Sequence, residues 1–301
     1  MSNRIFAIVN PAAGHGGCGR LAAAALERVR AQGIDLGVAE TAGPGHAAEL
    51  ARSAYVRGTR RFLVVGGDGS ACEVVNGLVP VAEQGGAPQL AFLPLGTGNS
   101  FLRDFTDHGG VDQTIAALAR QAPRPCDVLR LTHSGECIYA INQIGMGFIA
   151  DVAEVANRSL KGLGELGYII AALARTVALR HSPCPIRIDD EADVDRRPAL
   201  FVAFANSRCT GGRLLLAPGA DTADGLVDVI RCGPIGRLQI LRRVPMLYDG
   251  SHSALPFVSS SRARRVEFEL DAAQRVSIDG DVMTIRPDRL DVLPSAIQVL
   301  V

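Results

Sequence analysis

Residues 61–78 read RFLVVGGDGSACEVVNGL. Residues 61–65 are largely apolar and β-branched and predict a buried strand. Three glycines around one carboxylate follow at 66–69, and residues 70–78 then predict a helix. Because a turn without Cβ atoms lets backbone N–H groups approach a phosphate, and the next helix points its positive end at the same anion, the stretch predicts a phosphate-binding turn within an α/β fold.

This turn contains no lysine. Lys161 is the single lysine of the chain, so the phosphate loop G-x-x-x-x-G-K-[ST] is absent. We therefore expect a nucleotide at this turn to be held by backbone amides, arginines and a metal ion.

The alternation of strand and helix continues along the first 130 residues. We predict strands at 5–9, 35–40, 61–65 and 90–93, and helices at 21–30, 45–57 and 70–78. This spacing implies right-handed crossovers and a mostly parallel sheet. Ligands of such sheets bind outside the carboxyl ends of the strands, which is where the glycine-rich turns lie.

Short strands predominate after about residue 131. We predict them at 138–143, 186–188, 199–206, 227–230, 266–270 and 276–278, with helices at 151–157 and 165–179. The chain is thus expected to form a nucleotide-binding α/β domain at 1–131 and a β-rich, sandwich-like domain at 132–286. The tail at 287–301 is expected to pack back on the first domain.

Composition excludes several classes of function. The 31 basic and 31 acidic side chains give zero net charge, which disfavours a nucleic-acid partner. Seven cysteines occur without a C-x-x-C pair, which argues against a zinc site or a disulfide framework. The N-terminal apolar run is too short for a signal peptide, and the apolar run at 166–174 is roughly half of a membrane span. We expect a cytoplasmic protein.

Two further glycine-rich turns follow predicted strands. Residues 14–19, GHGGCG, match the dinucleotide motif G-x-G-x-x-G, but residues 10–13 separate them from the strand, which disfavours a Rossmann site. In the second turn, LPLGTGNS at 93–100, Thr97 and Asn99 can form hydrogen bonds with a phosphate or a ribose. Three such turns at one sheet edge predict a nucleotide site.

In their order along the chain, these motifs resemble those of the diacylglycerol kinase catalytic-domain family, which includes soluble bacterial lipid kinases and sphingosine kinases and resembles NAD kinases in fold. The matching residues are Asn10-Pro11, Thr41 with Gly45-His46-Ala47, residues 66–70 with Glu73 and Asn76, residues 96–99, Ala217-Pro218, Asp224-Gly225-Leu226 and Asp279-Gly280. The Gly-Gly-Asp-Gly block is shared with NAD kinases, and the later motifs favour a lipid kinase.

The resemblance implies an ATP site in the first domain. The residues expected to contact ATP are Asn10, Thr41, Gly66, Gly67, Asp68, Gly69, Ser70, Ala71, Cys72, Glu73, Gly96, Thr97 and Asn99. Asp68 is expected to act through Mg²⁺, because a carboxylate repels a triphosphate unless a cation bridges them. Taken by itself, Asp68 is also consistent with a turn-capping aspartate. Asp127 falls where the family has another member of this acidic network.

The resemblance also implies a structural metal site in the second domain. Asp221, Asp224 and the carbonyl of Leu226 match its ligands, and oxygen ligands suit Mg²⁺ or Ca²⁺. The spacing alone fits a hairpin turn built on Asp-Gly equally well.

Two positions depart from the family pattern. Asp281 stands where the family has the glutamate proposed as general base, so the second expected catalytic residue beside Asp68 is one methylene shorter. Ser100 stands where many bacterial members have an aspartate, which changes the composition expected for the magnesium network.

The leading hypothesis is ATP-dependent phosphorylation of a hydroxyl group on a diacylglycerol-like or sphingosine-like lipid. The alternatives are phosphorylation of NAD and a non-catalytic regulator that binds a nucleotide or a lipid. The apolar helix at 165–175 is interpreted as core packing, with a transient membrane-surface contact as the alternative. A homodimer through an unpaired strand edge is also considered.

Overall fold

The computed structural model describes residues 4–82, 85–106, 110–120, 122–160, 163 and 165–301. The chain divides into two compact units. Unit 1 comprises Met1–Val128 together with Pro294–Val301, and unit 2 comprises Leu129–Leu293.

Unit 1 is built from alternating strands and helices. Its strands are β1 (Ile5–Val9), β2 (Leu36–Glu40), β3 (Arg61–Gly66) and β4 (Gln89–Pro94), and its helices are α1 (Gly17–Arg30), α2 (His46–Val56), α3 (Asp68–Ala82) and α4 (Val111–Arg120). A 3₁₀ helix spans Phe101–Asp104, and β5 (Pro123–His133) begins in this unit.

The sheet of unit 1 is parallel, in the order β2-β1-β3-β4. The last residues of the chain extend it, because Gln298 and Val299 pair in parallel with Gln89 and Leu90 of β4. The central strand β3 is buried along almost its whole length, as its continuous apolar sequence predicts. All four carboxyl ends therefore lie at one edge of the sheet.

Unit 2 is rich in short strands. They are β6 (Glu136–Ala140), β7 (Gln143–Gly147), β8 (Ser182–Pro183), β9 (Ile186–Ile188), β10 (Pro198–Ala199), β11 (Phe201–Ala205), β12 (Cys209–Thr210), β13 (Leu214–Leu215), β14 (Val227–Cys232), β15 (Val258–Ala263), β16 (Arg265–Phe268), β17 (Gln274–Ile278), β18 (Asp281–Ile285) and β19 (Arg289–Leu300), the last of which ends in unit 1. The helices are α5 (Phe148–Val155), α6 (Glu165–Arg175) and α7 (Arg237–Arg243), with a π turn at Ala156–Leu160 and 3₁₀ turns at Thr176–Ala178, Val244–Leu247 and Ser251–Ala254.

Two antiparallel layers form the sandwich of unit 2. One is the six-stranded sheet β15-β14-β11-β7-β17-β18. The other contains the hairpin of β5 with β6, and β16 between β9 and the start of β19. Apolar side chains from both layers form one core, among them Leu129, Ile144, Phe204, Val229 and Val266. A mostly parallel α/β domain followed by a β-rich, sandwich-like domain is the predicted fold class, and the structure confirms it.

Several predicted boundaries are wrong. Helix α3 begins at Asp68 rather than at residue 70, so the predicted turn contributes the first turn of the helix. Helix α1 begins at Gly17, four residues before the predicted start. The helix predicted at 165–179 ends at Arg175 and continues as a 3₁₀ turn. The pattern did not predict α4 or α7, which are short; the exposed side of α7 combines charged residues with Leu238 and Leu241.

Helix α6 is only partly core. Ala171 is fully buried and packs with Val152 on α5 and with Ala156 at the start of the π turn, whereas Leu166 and Leu173 are exposed. Within the described ranges, no helix combines the length and the apolarity needed to cross a bilayer.

Candidate functional site

Four predicted ligand residues follow the ends of parallel strands in unit 1. Asn10 follows β1, Thr41 follows β2, Gly66 ends β3, and Gly96 lies two residues beyond β4. The parallel register pairs Val9 with Glu40 and Val65, and Gly66 with Pro94, so these ends are level with one another. The structure therefore brings these ligand residues to one sheet edge.

The glycine turns at this edge lie directly against one another. A Cβ on Gly96 would overlap the Cα of Gly67, and a Cβ on Gly14 would lie 2.7 Å from the carbonyl oxygen of Leu95. Gly67 and Gly96 both have ordinary negative or extended φ angles. These two glycines are therefore required by close approach of the backbone rather than by a left-handed conformation.

Gly69 differs from its neighbours, because a Cβ built on it meets no atom within 4 Å. It is exposed in the first turn of α3, where backbone N–H groups have no acceptor within the helix. The fold supplies no steric reason for a glycine here. An open cradle that a Cβ would fill, at the positive end of a helix, fits a phosphate group.

Asp68 lies half-buried at the start of α3. Its carboxylate accepts hydrogen bonds from the backbone N–H groups of Ser100, at 3.0 Å, and Phe101, at 3.3 Å. Desolvation raises the pKa of Asp68 above its usual range, although these hydrogen bonds and Arg103 oppose the shift. A cation would stabilise a desolvated carboxylate of this kind in its ionised form, and binding of Mg²⁺ by Asp68 stays a prediction.

The contact between residue 100 and Asp68 bears on the departure from the family pattern, in which serine replaces aspartate at position 100. The side chain of Ser100 also hydrogen-bonds to Asp68 and lowers its pKa. An aspartate at this place would set a second carboxylate beside the first, whereas the serine hydroxyl donates a proton to it. Ser100 is therefore a neutral hydrogen-bond partner of Asp68, in place of a second carboxylate.

Side-chain hydrogen bonds hold two further residues of the predicted nucleotide set. Asn10 donates to the hydroxyl of Ser70 at 2.9 Å, and the amide of Asn99 donates to the Gly96 carbonyl at 2.9 Å. Thr97 is exposed, and Thr41 donates its backbone N–H to Val9 at 2.8 Å.

Three residues of the predicted ATP set form hydrogen bonds within the fold. Glu73 accepts the backbone N–H of Ala47, at the start of α2, at 3.3 Å. The side-chain amide of Asn76 donates to the backbone carbonyl of the buried Cys72 at 2.8 Å, and Ala71 donates its N–H to the carbonyl of Gly67. These contacts position α3, and a role of the three residues in binding ATP stays a prediction.

Asp127 is fully buried near the end of unit 1. Its carboxylate accepts the backbone N–H of Ser295, on the returning C-terminal strand, at 2.7 Å. Ser295 has a positive φ angle of 51°, so this hydrogen bond holds a kink in β19. The structure thus gives Asp127 a partner in the fold, and its place in an acidic network stays a prediction.

Asp279 holds the turn between β17 and β18 in unit 2. Its carboxylate accepts three backbone N–H groups, from Ile141 at 2.8 Å and from Asn142 and Gln143 at 2.9 Å each. Asp281 follows two residues later, exposed, as the first residue of β18. The first aspartate of Asp-Gly-Asp therefore positions the turn, and the second is exposed to solvent.

Two side chains near this turn were not predicted as site residues. Asn157 donates to the carbonyl of Gly280 at 2.6 Å. The hydroxyl of Tyr168, on α6, lies 3.5 Å from the position that a Cβ on Gly280 would occupy. Both residues lie more than a hundred positions before the turn, so no local motif could have connected them to it.

The predicted metal ligands of unit 2 lie in one loop. Asp221 accepts the N–H of Ala223 at 3.0 Å, and Asp224 accepts the N–H of Leu226 at 2.9 Å. Arg262 lies 3.5 Å from the second carboxylate oxygen of Asp224. Among the described residues there is no group of three or more His, Cys, Asp or Glu side chains placed to hold a metal ion. Two carboxylates and one carbonyl would not form such a group, so this site stays a prediction.

Comparison with known families agrees with the geometry. Residues 4–131 match the diacylglycerol kinase catalytic domain, and residues 142–301 match the YegS C-terminal NAD kinase beta sandwich-like domain. Together these two matches define a two-domain lipid kinase.

Individual relatives lead to the same family. A diacylglycerol kinase of Mycobacterium tuberculosis is 31% identical over 99% of this chain and 94% of its own length. A diacylglycerol kinase of Bacillus subtilis is 25% identical over 91% of this chain and 88% of its own. The crystal structure of a diacylglycerol kinase from Bacillus anthracis shares the fold, with a TM-score of 0.74, 20% identity, and coverage of 99% of this chain and 96% of that one. The chain belongs to the diacylglycerol kinase family, as its motifs indicated, and is a lipid kinase.

Proposed function

We propose that this lipid kinase transfers the γ-phosphoryl group of ATP to a free hydroxyl of a diacylglycerol-like lipid. The observation that carries the proposal is the sheet edge of unit 1, where Gly69 leaves an open cradle beside Asp68 at the start of α3. The name of the 31% identical relative supports diacylglycerol over a sphingosine-like acceptor.

In this proposal unit 1 binds the nucleotide. Backbone N–H groups in the first turn of α3 bind phosphate oxygens, and the glycines keep Cβ atoms out of their way. Asp68 holds Mg²⁺, and Asn10, Thr41 and Thr97 contact the nucleotide through their polar side chains. Bound ATP with Mg²⁺ supplies the transferable phosphoryl group and neutralises charge on the phosphate oxygens.

Unit 2 is proposed to bind the lipid and to hold the general base. Asp281 takes the proton of the acceptor hydroxyl as its oxygen forms a bond to the γ-phosphorus, and the bond from that phosphorus to the bridging oxygen breaks as ADP leaves. Asp279 positions this residue through its three backbone hydrogen bonds, and Asn157 and Tyr168 lie at the same turn.

The loop with Asp221, Asp224 and the Leu226 carbonyl is proposed as a structural cation site. Asp228 lies near the same loop: desolvation raises its pKa, the neighbouring Arg262 lowers it, and the carboxylate of Asp224 raises it. Arg262 lies 3.5 Å from Asp224 and 3.8 Å from Asp228, so it offsets part of the negative charge that a cation would otherwise neutralise. Calorimetric titration with Ca²⁺ or Mg²⁺ is expected to show binding that Asp221→Asn removes, and equal binding by this variant would contradict the assignment.

An ATP-consumption assay over a panel of lipid alcohols, with product masses measured, tests the proposed activity. We expect ADP together with a product heavier by one phosphate for diacylglycerol. Formation of NADP from NAD would instead support the NAD kinase alternative. Binding of ATP without turnover on any acceptor would support a regulator.

A further inference from the structure

Helix α6 and the turn after it present an apolar face to solvent. The exposed positions from Leu166 to the end of the turn at residue 178 are Leu166, Ile170, Leu173, Ala174, Val177 and Ala178, and every one of them is apolar. Leu166 is 56% exposed and Val177 is 76% exposed. Residues spaced by three or four positions lie on one side of a helix, so these side chains form a continuous stripe.

The exposed stripe on α6 does not result from poor packing of this helix. The opposite side of α6 is anchored, because Ala171 is fully buried against Val152 of α5 and Ala156 at the start of the π turn. Arg175 at the end of the helix binds Asp151 at 2.8 Å. The helix is therefore held firmly in unit 2 while its outer side remains uncovered among the described residues.

Helix α7 extends this apolar surface. The guanidinium of Arg237 donates to the carbonyls of Thr176 and Val177, both at 3.1 Å, and so ties the start of α7 to the end of the stripe. On α7 itself, Leu238 is 57% exposed and Leu241 is 42% exposed. We call the combined surface the α6–α7 face; it consists of Leu166, Ile170, Leu173, Val177, Leu238 and Leu241.

Basic side chains predominate around this face, although Arg175 is paired with Asp151 and the exposed Asp249 directly follows residue 248. The chain as a whole has equal numbers of basic and acidic side chains, yet residues 166–181 and 233–248 contain five arginines and no aspartate or glutamate. Arg180, Arg242 and Arg243 are exposed. An apolar stripe with a basic border is complementary to the acyl boundary and the headgroups of an anionic bilayer.

We propose that the α6–α7 face docks the protein on anionic lipid membranes. A second copy of this chain is a poorer occupant, because a two-fold interface would set arginines against arginines. The proposal rests on the proposed function in one respect: the acceptor lipid resides in the bilayer. Tyr168 on the inner side of α6 lies beside Gly280, so the docked helix borders the turn that contains Asp281.

Vesicle co-sedimentation tests the proposal. The vesicles contain phosphatidylcholine, with or without phosphatidylglycerol, and no diacylglycerol, so binding does not depend on catalysis. We expect the protein to bind the anionic vesicles, and Leu166→Asp/Val177→Asp to weaken this binding at least about tenfold. Arg242→Gln/Arg243→Gln is expected to weaken it about fivefold per arginine, on anionic vesicles only.

A matched control comes from unit 1. Leu21 and Val56 are 57% and 71% exposed, so Leu21→Asp/Val56→Asp introduces the same two charges at equally exposed positions. We expect this control to bind vesicles within about twofold of the unmodified protein. Equal binding by the two double variants, with unchanged melting temperatures, would overturn the proposal. So would a dimer of the unmodified protein that Leu166→Asp/Val177→Asp converts to monomers without any vesicle binding.

Measurements of lipid phosphorylation distinguish a failure of the docking proposal from a failure of the proposed function. With a short-chain, monomeric diacylglycerol, Leu166→Asp/Val177→Asp should keep the turnover of the unmodified protein, and it should lose turnover on diacylglycerol in anionic vesicles. Vesicle binding without phosphorylation of either substrate would refute the kinase proposal and leave the docking face intact. Phosphorylation of the monomeric substrate without vesicle binding would refute the docking face alone.

Discussion

Gly69 and Gly96 lack side chains for different physical reasons. At Gly96 a Cβ would collide with the backbone of Gly67, whereas at Gly69 a Cβ would meet only open space. The two positions therefore separate what the fold needs from what a ligand needs.

Alanine substitutions at these positions are expected to have opposite effects. Gly96→Ala should lower the free energy of unfolding by about 1–3 kcal/mol, because backbone atoms have to move. Gly69→Ala should not lower it, since alanine favours a helix more than glycine does, but should weaken ATP binding at least about tenfold. Thermal melts and nucleotide titrations measure both. Unchanged ATP affinity in Gly69→Ala would show that no phosphate binds in the open space beside Gly69.

The raised pKa of Asp68 gives a dependence of stability on pH. Because the carboxyl group is harder to ionise in the folded state, folding loses stability as pH rises from its ordinary value of 3.8 to the higher pKa of the native protein. Asp68→Asn removes this loss. We expect the variant to gain stability relative to the unmodified protein across this window, and to lose turnover. If the free energy of unfolding changed equally with pH in Asp68→Asn and the unmodified protein from pH 4 to neutrality, this would contradict the raised pKa of Asp68.

Substitution of Asp279 is expected to lower stability, whereas substitution of Asp281 is expected to lower turnover. Asp279→Asn keeps a residue that tolerates the positive φ of 48° but sets an amide against backbone donors, which should cost about 1–3 kcal/mol of stability. Asp281→Asn should leave the melt unchanged and lower kcat by about 100-fold or more, with Asp281→Glu largely retaining it. Normal kcat in Asp281→Asn would exclude it as the base.

The sequence predicts some of these residues and not others. Gly66 to Gly69 stand out because a glycine cluster after an apolar strand is a local pattern. The partners of Asp279 at residues 141–143 and of Asp68 at residues 100–101 are distant in sequence, and hydrogen bonds between distant segments leave no periodic signal. The role of Ser100 beside Asp68 became visible only from their contact.

At the level of elements, the end of β19 completes the core of unit 1. Ile297 and Val299 are fully buried, and the strand pairs with β4. The apolar tail was visible in the sequence. Its kink at Ser295, held by Asp127, was not, because a polar residue with positive φ has no distinctive pattern in an otherwise apolar strand.

Truncation of this strand's core residue gives a quantitative test. Ile297→Ala should destabilise the protein by about 2–5 kcal/mol, since it removes a fully buried side chain and leaves a cavity. Leu21→Ala, at a 57% exposed position of α1, is the control and should change stability by less than about 0.5 kcal/mol. Denaturant unfolding compares the two, and similar small losses would show that the strand end contributes little.

Helix α6 shows where pattern reasoning reaches its limit. Residues 166–174 are apolar on every side, so the sequence could not distinguish the face packed on α5 from the face exposed to solvent. Burial of Ala171 and exposure of Leu166 and Leu173 resolve this. The helix is both a core element and an uncovered surface.

For the whole molecule, the two units follow from two kinds of hydrophobic pattern. Continuous apolar strands with helices between them build the parallel sheet of unit 1, and short strands with intervening turns build the sandwich of unit 2. The division itself falls within β5 and β19, which each run from one unit into the other along the chain. Continuous strands give no compositional break, so the sequence has no signal at residues 128 and 293, where the two compact units divide, and the domain limits at 131 and 287 stay predictions.

The central claim is that this lipid kinase uses ATP to phosphorylate a diacylglycerol-like lipid. The most direct test is transfer of radioactive phosphate from γ-labelled ATP, with Mg²⁺, to diacylglycerol in mixed micelles. We predict label in a lipid product with the unmodified protein, and loss of at least about 99% of it in Asp281→Asn at an unchanged melting temperature. A folded protein that leaves diacylglycerol unlabelled, or transfers the label to NAD, would contradict the account.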